Sequence, residues 1–446
     1  MKGMDLMITL KKEIGLFGGI SILAGIMIGS GIFVFGSSIL ERVGFSLGLS
    51  LVAWLIGGVI TLVSALTYAE LGTMFPETGG YYVYLKKAYG KKVAFLSGLM
   101  NFVLTSSGSI ALLALAFSEV LSYIIPLGAL YKWIAAFVII LLSAINYLGI
   151  KAGTLVQKIF LIAKLIPIFG IIFVGLFIVN SSVNISFATT EPIGFFKWMT
   201  MIGFGVVGTL WAYEGWTNLN TIAGEMKDVK KHLPNALSIS TISVSIIYIL
   251  FIFSLYRILG AATTITLSEG GAVLPIPAMM SLFGDTGMLI VFISILISIF
   301  GSLNGSIMVF PRVYYAMAED QMFFKSFTKV DKKFKTPVVA IVGSGVMGLI
   351  LLIFNFQELL TFVAFGGLIF NTLIFISIYL FRKRSPELNR PYKVIGYPIV
   401  PAFAIFGMVL LIISTLVESL IPSIIGFAVL VIGYFLYDLF VKVRKT

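Results

Sequence analysis

The apolar runs of this chain are too long for a water-soluble fold. Residues 94–125, 133–147 and 159–179 are predominantly apolar, and a helix of roughly 20 such residues crosses the ~30 Å hydrocarbon layer of a bilayer. Only 11% of the 446 residues are charged and 59% are hydrophobic, against about 25% charged in an ordinary soluble domain. Lipid is the solvent that such a composition requires. The runs are continuous rather than alternating, which excludes an embedded β-barrel, and helices close their own backbone hydrogen bonds. The expectation is an all-α membrane protein with twelve transmembrane helices, near 14–40, 46–72, 93–124, 132–149, 154–179, 198–224, 236–260, 287–319, 337–355, 358–381, 397–417 and 422–441.

The net charge of +12 would suit nucleic acid, but its placement points to a membrane instead. If both termini are cytoplasmic, the outer loops hold only Arg42, Lys132, Lys197 and Arg257, and Lys164 is intramembrane. The other basic residues then fall on the inner side, as the positive-inside rule demands. The start of the chain reads as a retained first helix rather than a cleaved signal. With no cysteine, there is no disulfide framework, no thiolate metal site and no disulfide-linked heavy subunit. No phosphate loop, metal cluster or catalytic triad appears, so neither a cofactor nor an enzymatic activity is expected.

Two segments violate what a membrane helix should look like. Span 1 carries Gly25, Gly29, Ser30 and Gly31 at mid-depth, and span 6 carries Trp211, Glu214, Gly215 and Trp216. Glycine permits unwinding, and interrupted helices at corresponding places in two halves point to an inverted-repeat transporter with its site at the midplane. Taken alone, the glycines of span 1 would equally serve close helix packing; the polar break five spans later favours unwinding. Freed main-chain groups in lipid need partners. The amides of Ser30, Gly31 and Ile32, opening a half-helix, favour an anion, and the terminal carbonyls favour a cation. Together they suit a zwitterion.

Lys164 is charged and lies well inside span 5, where such a side chain costs roughly 2.5–3.5 kcal/mol on insertion scales. Snorkelling to the inner face is the alternative, and Lys158, nearer that face, is read that way. Glu119, Glu70 and Glu225, near helix ends, are read as solvated at the interface. His232 is read as solvated in its basic loop.

Several motifs in order resemble the amino acid–polyamine–organocation superfamily, most closely its L-type amino-acid transporter branch. They are Gly25-Ile-Met-Ile-Gly-Ser-Gly-Ile-Phe33, Phe75-Pro-Glu-Thr-Gly-Gly-Tyr-Tyr-Val-Tyr84, Trp211-Ala-Tyr-Glu-Gly-Trp216, Gly224-Glu-Met-Lys227 with Leu233-Pro-Asn-Ala236, Gly301-Ser-Leu-Asn-Gly-Ser306 with Arg312, and Arg390-Pro-Tyr-Lys393. Departures fall at Asp228-Val229 and around residues 321–324. The resemblance implies a LeuT-like fold of five plus five inverted helices with helices 1 and 6 discontinuous. Residues 1–385 would form the ten-helix transport core and 386–446 two peripheral helices.

Carried over residue by residue, the resemblance places a substrate carboxylate on the amides of Ser30, Gly31 and Ile32. The α-amine would face the carbonyls of Ile26, Trp211, Ala212 and Glu214. Trp211 would act as a lid, with Trp216 packing, and the Tyr248 hydroxyl would help orient the substrate. Lys164 would stand where sodium-coupled relatives hold a cation, bridging span 1 near Gly29 to Ser298 or Ser302 of span 8, as a fixed cation or as a proton acceptor.

The function expected is secondary transport of L-amino acids, neutral ones in the first place, by sodium-independent exchange or proton-coupled uptake. The partners are then a small amino acid and the lipid bilayer of the cell membrane, with no nucleic acid. A polyamine or cationic amino-acid antiporter and a transport-inactive membrane sensor share the same pocket logic. Competition by a panel of amino acids separates the first alternative, and counterflow separates the second.

Overall fold

An apolar chain in lipid must satisfy its backbone within each segment, and the described residues are accordingly helical. The computed structural model describes residues 10–180, 183–189, 194–418 and 420–443. Among them no strand forms, and the isolated bridge pairs Ile14 with Met226.

The first span is broken: α1 (Leu16–Met27) and α2 (Gly31–Arg42) are bent by 47° across three residues. α3 (Leu47–Met74) returns, and a short α4 (Tyr81–Tyr89) precedes α5 (Lys91–Met100), which continues through a wide turn at Asn101–Thr105 into α6 (Ser106–Ser122). α7 (Tyr131–Tyr147) and α8 (Ile150–Phe173) follow. α9 (Phe195–Ala212) stops short, and a single turn, α10 (Asn218–Thr221), resumes beyond the gap. Next come α11 (Val229–Leu259), α12 (Ala261–Glu269), α13 (Pro275–Val309), α14 (Pro311–Glu319), α15 (Val338–Leu351), α16 (Phe356–Arg384), α17 (Ile399–Glu418) and α18 (Leu420–Val443).

Each expected span contains helix. By length and composition, seven helices among the described residues can cross a membrane, and the α1/α2 pair makes an eighth. Shorter apolar helices occupy Val338–Leu351, Ile399–Ile413 and Ile424–Asp438. The largest departure from expectation is at 287–319. α13 begins at Pro275, kinks at Gly284 (φ 59°) and ends before Pro311, whose missing N–H and ring break the ladder.

α1 packs against α8, α11 and α13, while α3 packs against α9 and α11. α17 and α18 attach along α3, α5 and α16. The broken helices therefore lie inside the bundle, where Gly25, Ile26 and Met27 are buried.

The end of the bundle that carries the basic clusters is closed by ion pairs. Glu225 and Arg312 are both buried, with Arg312 Nε donating to Oε1 at 2.7 Å and Nη2 to Oε2 at 3.3 Å. Glu70 accepts from Arg382 Nε at 3.0 Å, Arg382 Nη2 at 2.7 Å and the Val394 amide at 2.7 Å. Lys86 reaches Asp320 at 2.6 Å. The expectation that Glu70 and Glu225 are solvated is thus corrected: a buried carboxylate needs a cation and donors, and each finds them on a distant helix. Glu119 is exposed, as expected.

Candidate substrate site

α1 ends because residues 28–30 leave the helical path, Ile28 having ψ 75°. Ser30 caps α2 through its carbonyl, which accepts from Phe33 and Val34 at 3.0 and 3.1 Å. The amides that open a helix have no intrahelical acceptor, so those of Ser30, Gly31 and Ile32 are left for another partner. On the other side, α9 ends at Ala212, and Gly215 (φ 116°) turns the chain before α10.

The two breaks touch. A Cβ on Gly31 would lie 2.9 Å from Ala212 Cα, and one on Gly215 would lie 2.8 Å from Ile26 Cγ2. Gly31 is glycine because it meets the main chain of α9, and Gly215 because it meets the Ile26 side chain and needs its left-handed φ.

A cavity of about 240 Å³ opens over this junction. Ile26, Gly29, Ser30, Gly31, Trp211, Ala212, Glu214 and Ser302 all line it. Ile32, Lys164, Tyr248 and Ser298 do not, and all four are buried. Trp211 stands half-buried at the cavity edge, and the Glu214 side chain is exposed to it. Trp216 packs instead, stacked on Phe375 with centroids 5.9 Å apart and edge-on to Tyr68 at 4.9 Å.

Most of the carbonyls expected to meet an amine already hold one donor. Ser302 Oγ donates toward Ile26 O at 3.1 Å and Gly25 O at 3.2 Å. The Glu214 amide donates to Trp211 O at 3.2 Å. Tyr248 Oη sits 2.8 Å from Met27 O and 3.2 Å from Ala212 O, so this tyrosine fastens both breaks to α11 rather than facing the cavity. A carbonyl has two lone pairs, which leaves each able to take a second donor.

Lys164 is fully buried, and its Nζ donates to Gly25 O at 2.9 Å, Ile28 O at 2.6 Å and Ser298 O at 3.1 Å. Three acceptors match the three hydrogens of an ammonium. The approach depends on Gly301, whose Cβ would come 3.1 Å from Nζ. Lys164 thus ties the end of α1 to α13 and does not snorkel, whereas Lys158 rests 5.5 Å from the Phe17 ring.

Sequence reasoning overlooked the opposite wall. Asn101, Thr105 and Ser106 from the wide turn at the α5/α6 junction line the cavity together with Tyr81 and Asn371. The hydroxyls of Tyr81 and Thr105 are buried without a partner, while Asn371 Oδ1 accepts from Tyr68 Oη at 2.6 Å. Polar side chains at mid-span were the available signal, by the same logic that singled out Lys164. Also unforeseen is a buried amide chain beneath α1: Asn146 donates to Asn304 at 2.9 Å, and Asn304 donates to Gln157 at 2.9 Å.

Comparison with known proteins agrees with this geometry. Residues 14–435 match the family model described as amino acid permease. The serine/threonine exchanger SteT of Bacillus subtilis (strain 168) is 36% identical over 414 residues, covering 92% of each chain. The b(0,+)-type amino acid transporter 1 of Homo sapiens is 32% identical over 86% of this chain and 79% of its own. The human large neutral amino acids transporter small subunit 2 is 30% identical over 97% and 81%. A match running from the first span into the last helix shows that the chain belongs to the amino acid permease family, on the L-type branch of the amino acid–polyamine–organocation superfamily.

Proposed function

We propose that the chain carries L-amino acids across the cell membrane by alternating access, with neutral amino acids as its substrates and without sodium. The observation that supports this most is the contact of two interrupted helices, Gly31 against Ala212 and Gly215 against Ile26, under a cavity lined by residues of both breaks. Amides of Ser30 and Gly31, which line the cavity, take the carboxylate, and the spare lone pairs of Ile26, Ala212 and Glu214 take the ammonium. Trp211 is the lid, and Lys164 stands in for a bound cation between α1 and α13. The polar wall of Asn101, Thr105 and Asn371 suits a small side chain that can hydrogen-bond, which agrees with the serine/threonine exchange named for the bacterial relative.

The same reading takes the twelve segments as twelve crossings with both termini cytoplasmic. Helices up to residue 385 form two inverted sets of five, and 386–446 form a peripheral pair. The ion-paired end is then the cytoplasmic one, closed in the state described.

Counterflow in proteoliposomes tests the reading. Vesicles loaded with unlabelled serine should accumulate external labelled serine equally in sodium and in choline. Binding without flux would mark a sensor, dependence on sodium would remove Lys164 from the cation site, and competition by arginine or a polyamine but not serine would replace the substrate class.

A further inference from the structure

We propose a binding site for an anionic phospholipid where the start of α8 meets the start of the first span. A hollow of about 260 Å³ lies there, lined by Glu13, Ile14, Lys151, Leu155 and Lys158 among others. Lys151, Leu155, Ile159, Ile162 and Ile166 recur at intervals of three and four, and Lys158 stands three after Leu155 and four before Ile162, so they share one face of α8. That face is basic at its end and apolar beyond it: Leu155, Ile159, Ile162 and Ile166 are exposed by 59, 54, 56 and 68%, and Phe17, whose ring meets Lys158, by 58%.

The order of chemistry along this stripe is that of a phospholipid, with an anionic head followed by an alkyl chain. From Lys158 to Ile166 the helix climbs about 12 Å, roughly the upper half of an acyl chain's depth. The charges favour an anion. Lys151 and Lys158 line the hollow with Glu13, Lys11 and Lys12 precede that glutamate in the chain, and Lys151 meets its carboxylate loosely at 3.4 Å. No carboxylate among the described residues pairs with Lys158, whose Nζ lies over the Phe17 ring. A phosphate in the hollow would lie between Lys151 and Lys158, and basic groups beside a membrane attract anionic lipid. Because one wall belongs to the segment leading into α1, a lipid held there would strap the cytoplasmic half of the broken helix to α8.

Full-length protein in nanodiscs of phosphatidylcholine with added phosphatidylglycerol, examined by native mass spectrometry, tests the site. Wild type should retain phosphatidylglycerol in preference. The Lys151→Ala/Lys158→Ala double variant should lose that preference by roughly fivefold per lysine, while Lys158→Arg keeps it. Lys332→Ala/Lys333→Ala, which removes two exposed lysines from another basic loop, should also keep it. The proposal fails if the first double variant retains lipid as wild type does, or if the loop variant loses as much. It also fails if glycerol 1-phosphate at the lipid's concentration displaces the bound molecule, which would make the ligand a soluble phosphate. Lipid retention is read without flux, so the outcome is separate from the transport reading.

Discussion

At the scale of single residues, glycine decides where the two breaks meet. Gly31→Ala places a methyl 2.9 Å from a backbone carbon, a contact no rotamer can relieve, so counterflow should fall by at least tenfold with the protein still inserted and monodisperse. Lys164→Met removes a donor from three buried carbonyls, of which Gly25 O keeps Ser302 Oγ, at about 1 kcal/mol per lost bond. Its thermal unfolding in detergent should come earlier, and its sodium response and pH profile should depart from wild type; a variant matching wild type in all three would end the coupling role. Lys164→Arg should not restore the lost properties, because three carbonyls converging on one ammonium nitrogen do not match the spread donors of a planar guanidinium. These glycines and this lysine were legible in the sequence because they break a rule of membrane helices. Tyr81 and Thr105 were not, since Tyr81 falls outside the expected spans, a threonine hydroxyl in a span usually bonds its own helix, and only the fold shows both unpartnered.

Among the elements, α11 does more than its uniform hydropathy suggests. Through one hydroxyl, Tyr248 reaches Met27 at the end of α1 and Ala212 at the end of α9. Tyr248→Phe should therefore cost about 1 kcal/mol, visible as a lower unfolding midpoint. Because the ring leaves the cavity lining unchanged, turnover should change more than apparent substrate affinity. The broken helices could be anticipated from glycine and a misplaced carboxylate, but this fastening could not. It depends on the rotation of α11 relative to two segments far away in sequence. The helix break before Pro311 was present in the residue types, yet apolar flanks on both sides carried the expected span straight across it. The departures from the family pattern at Asp228 and Gln321 prove to be places where the backbone enters the left-handed region, at φ 39° and 62°, a conformation that sequence alone did not disclose.

For the whole molecule, the seal at the basic end is held by charges that hydropathy cannot pair. A glutamate near a helix end reads the same whether water or a distant arginine satisfies it, which is why Glu70 and Glu225 were placed wrongly. Arg312→Ala leaves Glu225 buried and alone, a loss of about 3–5 kcal/mol, and the variant should unfold well below wild type in a thermal scan. Arg312→Met with Glu225→Met should recover much of that loss, a result that separates pairing from packing. The pairs also differ in their access to water. Glu225 and Arg312 are 0 and 1% exposed, whereas Lys86 and Asp320 are 22 and 27%, and Lys87 and Glu77 are 34 and 49%. Counterions therefore screen the periphery of the seal and leave its centre untouched. Concentrated salt inside vesicles should quicken inward opening only up to a plateau, and the height of that plateau is set by the buried pairs, Glu225 with Arg312 foremost, that no ion can reach.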